Sequence, residues 1–164
     1  MRLLIIGGGP GGYETAVEAA KRGMEVTLIS EGPLGGTCLN EGCIPTKTLL
    51  NSAKLYRHAT ESAAYGVTSE GVSFDHAKVI ARKAKVVKIL VTGVESTMKA
   101  NKVTVIRAEA HIEGKKDGMF QVSAGGETYA ASRLAIATGS EAVVPPIPGV
   151  KEGVESGFVV TNRE

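Results

Sequence analysis

The glycine-rich stretch near the N-terminus constrains the fold of this chain more than any other feature. The letters LLIIGGGPGG join a short apolar run to the pattern G-x-G-x-x-G, whose glycines are Gly7, Gly9 and Gly12. A continuous apolar run closed by glycines is typical of a buried parallel strand, and an alanine-rich helical pattern follows from Gly11 to Arg22. The strand-like letters EVTLIS come next, so the first thirty residues predict a β-α-β unit.

The spacing and context of these glycines predict a dinucleotide site. In such a turn Gly7 permits the sharp bend, Gly9 lets the backbone approach a pyrophosphate, and Gly12 lets the helix pack closely on the strand. The free N–H groups at the helix start stabilise the phosphate charge. An acidic residue about twenty positions later is expected to bind the ribose, and Glu31 lies nineteen residues after Gly12. The open alternatives are a purely structural glycine turn and, for Glu31, a solvated carboxylate.

The rest of the chain predicts an α/β domain with a small antiparallel insertion. One helix runs from Cys43 to about His58, and a longer one runs from an N-cap at Asp75 toward Ala100. Short strands follow in KVTVIRAEAHIEG, MFQVSA, ETYAAS and RLAIATG, with Gly125–Gly126 at a hairpin turn. The proline-rich VVPPIPGV predicts an extended exit, and ESGFVVTNRE contains a strand-like piece. The predicted fold class is α/β, a Rossmann-like, doubly wound parallel sheet with a small antiparallel β insertion.

The two cysteines of the chain, Cys38 and Cys43, lie five residues apart in GGTCLNEGCIPTK. A structural zinc needs four ligands, and the three histidines of the chain are scattered singly, so no metal site is predicted. A static disulfide would close too small a loop to restrain the unfolded chain strongly. Two inert packing thiols are the simplest remaining alternative.

The residues around the cysteine pair favour a redox-active disulfide. In a regular helix, residues five apart are separated by about 7.5 Å along the axis, whereas a disulfide needs Cα atoms roughly 4.4–6.8 Å apart. The bond therefore requires an irregular helix start, which Gly42 permits and which Pro45 favours by moving Ile44 away from helical geometry. Such a bond is easily reduced, and nearby N–H groups, together with the cation of Lys47, would lower the pKa of a thiolate. The alternative for Lys47 is a solvent-exposed lysine.

Composition narrows the remaining classes of function. A net charge of +2, without a basic run interleaved with aromatic residues, predicts no nucleic-acid partner. No apolar stretch has the length of a membrane span, and no cleavable signal precedes the glycine motif. Two cysteines in 164 residues also do not suggest a secreted scaffold built on disulfides. We therefore expect a cytoplasmic protein that does not bind a membrane.

Three stretches in this order, GGGPGGYETAVEAAKRG, LGGTCLNEGCIPTKTLL and LAIATGSEAVVPPIPG, resemble the FAD-dependent pyridine nucleotide–disulfide oxidoreductases. The resemblance covers the chain from end to end, and CIPTK is most similar to the lipoamide-oxidising branch, the dihydrolipoamide dehydrogenases. It implies electron transfer from dihydrolipoamide, free or carried on a lipoyl protein, to a Cys38–Cys43 disulfide, then to FAD and finally to NAD+. The alternatives are a related disulfide or mercuric reductase using NADPH, and a stand-alone, non-catalytic module that binds flavin or nucleotide.

The resemblance assigns roles to residues by matching position. It implies that Cys43 is the thiolate nearer the flavin, that Cys38 is the interchange thiol, and that Lys47 lies at the reactive edge of the flavin ring. The family's ribose-binding glutamate falls on Ser30, so Ser30 and Glu31 are alternative ribose ligands. The other implied FAD contacts are Gly7, Gly9, Gly12, Gly36, Thr37, Ala110, Thr138, Gly139 and Ser140.

The resemblance also implies that family members are longer than this chain. They continue into a nicotinamide-binding domain with a second glycine fingerprint, and into a dimerisation domain with a catalytic His–Glu pair. We therefore expect residues 1–149 to be the N-terminal part of an FAD-binding domain and residues 150–164 an exit segment toward the nicotinamide-binding domain. The longer protein is expected to be a homodimer. The 164 residues alone are expected to be inactive, to retain little FAD and to self-associate through exposed apolar surface.

Overall fold

The computed structural model describes residues 1–163 of the chain. A 3₁₀ turn, Ser62–Tyr65, follows the third helix. The helices and strands, in chain order, are β1 (Arg2–Ile6), α1 (Pro10–Lys21), β2 (Glu25–Ile29), α2 (Gly36–Asn40), α3 (Cys43–Thr60), α4 (His76–Ala100), β3 (Thr104–Ile106), β4 (Ala110–Lys116), β5 (Met119–Ala124), β6 (Glu127–Ala131), β7 (Arg133–Ile136) and α5 (Val150–Glu155).

A parallel sheet with the strand order β3-β2-β1-β7 forms the centre of the fold. The strand β1 is hydrogen-bonded on both sides, with Ile5 opposite Leu28 of β2 and opposite Ala135 of β7. A central parallel strand is covered on both faces, which explains why its sequence is a continuous apolar run rather than an alternating one. Full burial of Ile5 and of Leu28 contributes about 1.5–3 kcal/mol each to folding.

The two faces of this sheet pack against different layers. On one face Leu3 and Ile5 of β1 contact residues of α1 and Met98 of α4. On the other face Leu4 and Ile6 contact Val122 and other residues of the antiparallel sheet β4-β5-β6. The predicted α/β fold with a small antiparallel insertion is confirmed, and the insertion covers the second face of the parallel sheet.

Several local predictions agree with the structure. Gly23 follows α1 with φ of +80°, as expected for a residue after a helix end. Asp75 caps α4, because its carboxylate accepts a 3.0 Å hydrogen bond from the N–H of Lys78. The pair Gly125–Gly126 forms a two-residue hairpin turn between β5 and β6, with both φ angles positive.

Two predicted strands were wrong. The stretch KVTVIRAEAHIEG is not one strand, because β3 pairs with β2 in the parallel sheet whereas β4 belongs to the antiparallel sheet. The residues after α5 up to position 163 contain no strand. The apolar side chains of α4 are only partly covered: Met98 is buried, whereas Ile80 and Leu90 remain 37% and 38% exposed. Among residues 1–163, no helix is both long and apolar enough to cross a bilayer.

The closest backbone approach in the glycine turn lies between Gly12 and Gly7. A Cβ atom on Gly12 would lie 1.8 Å from the carbonyl oxygen of Gly7, which real atoms cannot do. Gly7 itself has φ of +110°, a conformation that residues with side chains rarely adopt. The contact seats the start of α1 directly on the end of β1.

We expect Gly12→Ala to destabilise the fold by roughly 1–3 kcal/mol or more, because the added methyl group forces α1 away from β1. The measurement is the free energy of unfolding from a urea titration followed by circular dichroism. Gly93→Ala in α4 is the matched control, since a Cβ atom there meets nothing within 4 Å and alanine favours a helix by about 1 kcal/mol. Equal stabilities of the two variants would contradict the prediction.

Candidate functional site

A cleft of about 1050 Å³ opens at the carboxyl end of the parallel sheet. The residues that follow β1, β2 and β7 form its floor, and α2 with the start of α1 forms one wall. Ligands of open parallel sheets bind at this edge, because the loops there diverge and helix N-termini point toward it. The predicted site residues that line the cleft are Gly7, Gly9, Ser30, Glu31, Gly36, Thr37, Cys38, Ala110, Thr138, Gly139 and Ser140.

Three predicted site residues are not among those that line the cleft. Gly12 is buried beneath the turn, where it permits the close approach of α1 to β1. Cys43 and Lys47 lie in the first turns of α3 and are exposed. The cleft wall therefore carries Cys38 rather than Cys43, and the prediction that Cys43 is the thiol nearer a flavin stays a prediction.

Two glycine loops meet at the centre of the cleft. A Cβ atom on Gly36 would lie 2.6 Å from the Cα atom of Gly9, and the N–H of Gly35 donates a 2.8 Å hydrogen bond to the carbonyl of Gly8. In contrast, a Cβ atom on Gly9 would meet only the Cα atom of Gly36, at 3.8 Å. The space beside Gly9 is thus open on the cleft side.

The start of α1 is suited to an anion. Its N-cap residue, Gly9, makes no side-chain capping bond, and Pro10 occupies the first helical position. The first backbone N–H groups of a helix have no partner within the helix and carry the positive end of its dipole. A pyrophosphate in the open space beside Gly9 would meet these groups, so the residues present fit the phosphate part of a dinucleotide.

The two cysteines lie on either side of a break between two helices. Cys38 is in α2, Cys43 is the first residue of α3, and Gly42 between them has φ of −133° and ψ of −103°. A Cβ atom on Gly42 would lie 2.9 Å from the carbonyl oxygen of Thr37, so a glycine is needed for this close turn.

Of the two predicted causes of the irregular helix start, Gly42 agrees with the structure and Pro45 does not. Ile44 and Pro45 both lie within α3, so the expectation that Pro45 displaces Ile44 from helical geometry was wrong. A proline is tolerated there because the N–H groups of the first helical turn have no partner inside the helix. The break lies before Cys43, at Gly42, which separates α2 from α3.

Cys38 and Cys43 are free thiols in the structure, and their pairing in a disulfide stays a prediction. Their side chains nevertheless interact, because a hydrogen bond with the Cys43 thiol is the main cause that raises the pKa of Cys38. Burial of Cys38 and the charge of Cys43 raise this pKa further, whereas Lys47 lowers it by a smaller amount. Lys47 thus acts on the pKa of Cys38 in the expected direction, but the neighbouring thiol outweighs the lysine and the net shift is upward.

Sequence reasoning missed several residues that shape the cleft. Asn40 at the end of α2 donates hydrogen bonds to the carbonyls of Leu34 (3.2 Å) and Gly36 (2.9 Å), and so fastens the glycine loop to the helix. Arg163 pairs with Glu41 at 3.2 Å and Glu141 at 3.3 Å at the mouth of the cleft. No sequence motif predicts a role for these residues. The one available signal is that Asn40 and Glu41 lie between the two cysteines.

The comparisons with known proteins agree with this geometry. A family model described as pyridine nucleotide-disulphide oxidoreductase matches residues 1–164. Dihydrolipoyl dehydrogenase of Acholeplasma laidlawii is 47% identical over 163 residues, which cover 99% of this chain and 47% of that protein. Dihydrolipoyl dehydrogenase of Geobacillus stearothermophilus is 41% identical over 143 residues, which cover 87% of this chain and 30% of that protein. The chain spans less than half the length of these relatives.

Two solved structures are similar to the chain. LpdA of Mycobacterium tuberculosis matches with a TM-score of 0.79 at 24% identity, over 89% of this chain and 33% of that one. At this identity the match bears on the fold alone. The HOCl-induced flavoprotein disulfide reductase RclA of Escherichia coli, in a Cu(II) complex, matches with a TM-score of 0.72 at 31% identity, over 92% of this chain and 30% of that one.

We expect Cys43→Ala to lower the pKa of Cys38, because it removes the thiol whose hydrogen bond raises that pKa. Lys47→Ala should raise the pKa of Cys38, because it removes a cation that favours the thiolate. The rate of alkylation of Cys38 by iodoacetamide, followed by peptide mass as a function of pH, measures both shifts in reduced protein. Lys54→Ala in the middle of α3 is the control and should leave the profile unchanged. A profile that does not move in Cys43→Ala would contradict the assigned cause.

Proposed function

Because this chain belongs to the pyridine nucleotide-disulphide oxidoreductase family, we propose that it is the FAD-binding, redox-active part of a dihydrolipoyl dehydrogenase. The observation that best supports the proposal is that one cleft is lined both by the glycine turn and by Cys38 of a contacting thiol pair. A dinucleotide site and a dithiol in contact with it are the two parts that oxidation of a dithiol by a flavin requires.

The residues that would hold FAD come from four segments of the cleft. Gly7, Gly9 and the start of α1 would bind the pyrophosphate with Gly36 and Thr37, and the loop at Ser30 and Glu31 would bind the adenosine ribose. Bound there, FAD would supply a two-electron acceptor for the reduced cysteine pair. The remaining proposed contacts that line the cleft are Ala110, Thr138, Gly139 and Ser140. Lys47, in the second turn of α3, would lie near the flavin ring.

The cysteine pair would exchange electrons with a dithiol by disulfide interchange. One thiolate of dihydrolipoamide attacks the sulfur of Cys38, the Cys38–Cys43 bond breaks, and Cys43 leaves as a thiolate. The second substrate thiolate then attacks the substrate sulfur that is bonded to Cys38 in the mixed disulfide. This step releases Cys38 as a thiolate and leaves lipoamide. Two electrons and a disulfide bond are thereby exchanged between substrate and protein. The contact between the two thiols supports this, because the interchange needs them within bonding reach.

The proposal extends to the longer protein of which such a segment forms part. Residues 1–149 would be the N-terminal part of the FAD-binding domain, and residues 150–164 would lead toward a nicotinamide-binding domain that uses NAD+. The substrate would be lipoamide, free or on a lipoyl protein, and the protein would act as a homodimer. The support is the similarity to dihydrolipoyl dehydrogenases along 99% of this chain.

A second candidate is a flavoprotein disulfide reductase with another substrate. It is favoured by the 31% identity to the Escherichia coli flavoprotein disulfide reductase. The two candidates share the FAD cleft and the cysteine pair, and they differ in the direction of electron flow. Reduction of NAD+ by dihydrolipoamide in the full-length gene product would support the first, whereas oxidation of NADPH by another acceptor would support the second.

We expect Cys38 and Cys43 to form an intrachain disulfide in air-oxidised protein, because their side chains are already in contact. Thiol labelling before and after mild treatment with a dithiol, read by intact mass, should show two thiols that appear together. Cys43→Ala is the control, since its remaining thiol cannot form the intrachain bond. Two labelled thiols in fully oxidised wild-type protein would count against the redox role.

We expect Gly9→Val to abolish binding of FAD while the fold is retained, because the side chain would fill the open space beside the helix start. Fluorescence titration with FAD measures the binding, and circular dichroism checks the fold. Gly93→Val in α4 is matched in chemistry and has nothing within 4 Å of its added Cβ atom. Unchanged affinity in Gly9→Val would mean that the glycine turn is structural only.

A further inference from the structure

The loop after β2 is held by an arginine that the sequence motifs do not include. Arg107 follows β3, and its guanidinium donates a 2.7 Å hydrogen bond to the carbonyl oxygen of Gly32. The other guanidinium nitrogen donates a 2.7 Å bond to the carboxylate of Glu95 in α4. One side chain thus joins α4 to a loop of the cleft, across 75 positions of sequence in the case of Gly32.

A serine in the same loop bonds to the same acceptor. Ser30 is buried, its hydroxyl donates a 3.0 Å bond to the carbonyl of Gly32, and its N–H donates a 2.9 Å bond to the carbonyl of Ile106. The proton of the Ser30 hydroxyl is therefore committed within the protein. The carbonyl of Gly32 receives two donors, Ser30 from inside the loop and Arg107 from outside it, and this fixes the backbone on either side of Glu31.

Both Ser30 and Glu31 line the cleft, but only Glu31 has an exposed and unpaired side chain. Its side chain is exposed, it lines the cleft, and it makes no hydrogen bond or ion pair with any other residue among 1–163. A carboxylate accepts hydrogen bonds from two vicinal hydroxyl groups more strongly than a neutral hydroxyl does. It lies two residues beyond the end of β2, near the strand end where nucleotide-binding sheets carry the acidic group that binds a ribose.

We propose that Arg107 is a positioning residue of the cleft, which holds the loop of residues 30–33 so that Glu31, and not Ser30, binds the ribose of an adenine nucleotide. The inference rests on the proposed function, in which a dinucleotide occupies this cleft. Arg107 touches no ligand in this arrangement. It acts through Gly32 and thereby sets where the Glu31 carboxylate lies.

The chemistry of an arginine suits this position. The planar guanidinium directs two donors at once, one to a carbonyl and one to a carboxylate, which the single ammonium group of a lysine does not do with fixed geometry. The pair of Arg107 with Glu95 is 40% and 48% exposed. Exposed ion pairs contribute little to overall stability. Variants of Arg107 are therefore expected to stay folded, which allows the positioning role to be measured separately from folding.

The test compares ADP with 2′-deoxy-ADP as probes, by isothermal titration calorimetry with the full 164-residue chain. A hydrogen bond to a charged acceptor corresponds to roughly tenfold in affinity, so the wild-type chain should prefer ADP by about that factor. Glu31→Gln should remove the preference, whereas Ser30→Ala, which leaves the bond from Arg107 to the Gly32 carbonyl in place, should lose less of it than Glu31→Gln does. Glu14→Gln is the matched control for Glu31, because Glu14 is an exposed carboxylate on α1 that does not line the cleft.

The role of Arg107 has its own readout. Arg107→Gln and Arg107→Lys should both lose most of the preference for ADP over 2′-deoxy-ADP. If Arg107 acts only through Glu31, the double variant Glu31→Gln with Arg107→Gln should show the same nucleotide preference as Glu31→Gln alone. Arg22→Gln, which removes an exposed arginine paired with Glu18 on α1, is the matched control and should keep the preference. Circular dichroism of each variant verifies the fold.

The possible failures are distinguishable. Because the 164 residues are expected to hold a dinucleotide weakly, only a wild-type chain that binds neither nucleotide even at high nucleotide concentration would count against the proposed function itself. Binding of ADP without any preference over 2′-deoxy-ADP would leave the dinucleotide cleft in place and overturn the role of Glu31. Loss of the preference in Ser30→Ala but not in Glu31→Gln would assign the ribose to Ser30. Full preference in both Arg107 variants would overturn the positioning role.

Discussion

The contact between the backbones of Gly12 and Gly7 is the constraint on which the rest of the structure depends. A helix can begin directly on the end of a strand only where no side chain separates them, and a Cβ atom on Gly12 would lie 1.8 Å from the Gly7 carbonyl. Because α1 begins at this contact, Gly9 lies in the cleft, and Gly36 packs against Gly9. The position of α2, and with it of Cys38, follows from this second glycine contact.

The layers on the two faces of the parallel sheet leave its carboxyl edge open. Helices α1 and α4 cover one face and the antiparallel sheet covers the other. Residues of β1 are therefore buried by these two layers, without further packing at the ends of the strands. The cleft forms at this edge from loops that belong to both layers and to the strands between them. Arg107 and Asn40 then brace these loops through carbonyl groups, so the cleft is shaped by polar contacts on an apolar frame.

The thiol pair owes its chemistry to a break in the helical path. Because Gly42 turns the chain between α2 and α3, the side chains of Cys38 and Cys43 meet although a regular helix would separate them. Their contact raises the pKa of Cys38, and Lys47 opposes this only in part. Proximity to another thiol therefore outweighs proximity to a cation in setting the pKa of Cys38.

The sequence by itself determined the features that depend on neighbours along the chain. The β-α-β unit, the glycine turn, the cap at Asp75 and the hairpin at Gly125–Gly126 all follow from residues within one turn or strand of each other. Eleven of the predicted site residues also line the cleft. Some were placed by the family resemblance and others by the rule that residues after parallel strands gather at one edge of a sheet.

Only the tertiary structure decided what depends on distant partners. The division of KVTVIRAEAHIEG between two sheets, for example, depends on the free edge of β2. The hydrogen bond from Arg107 to Gly32 and the shifted pKa of Cys38 likewise depend on groups that folding brings together, and no local sequence pattern predicts them. Side-chain geometry across such contacts depends on packing, and packing is a property of the whole fold.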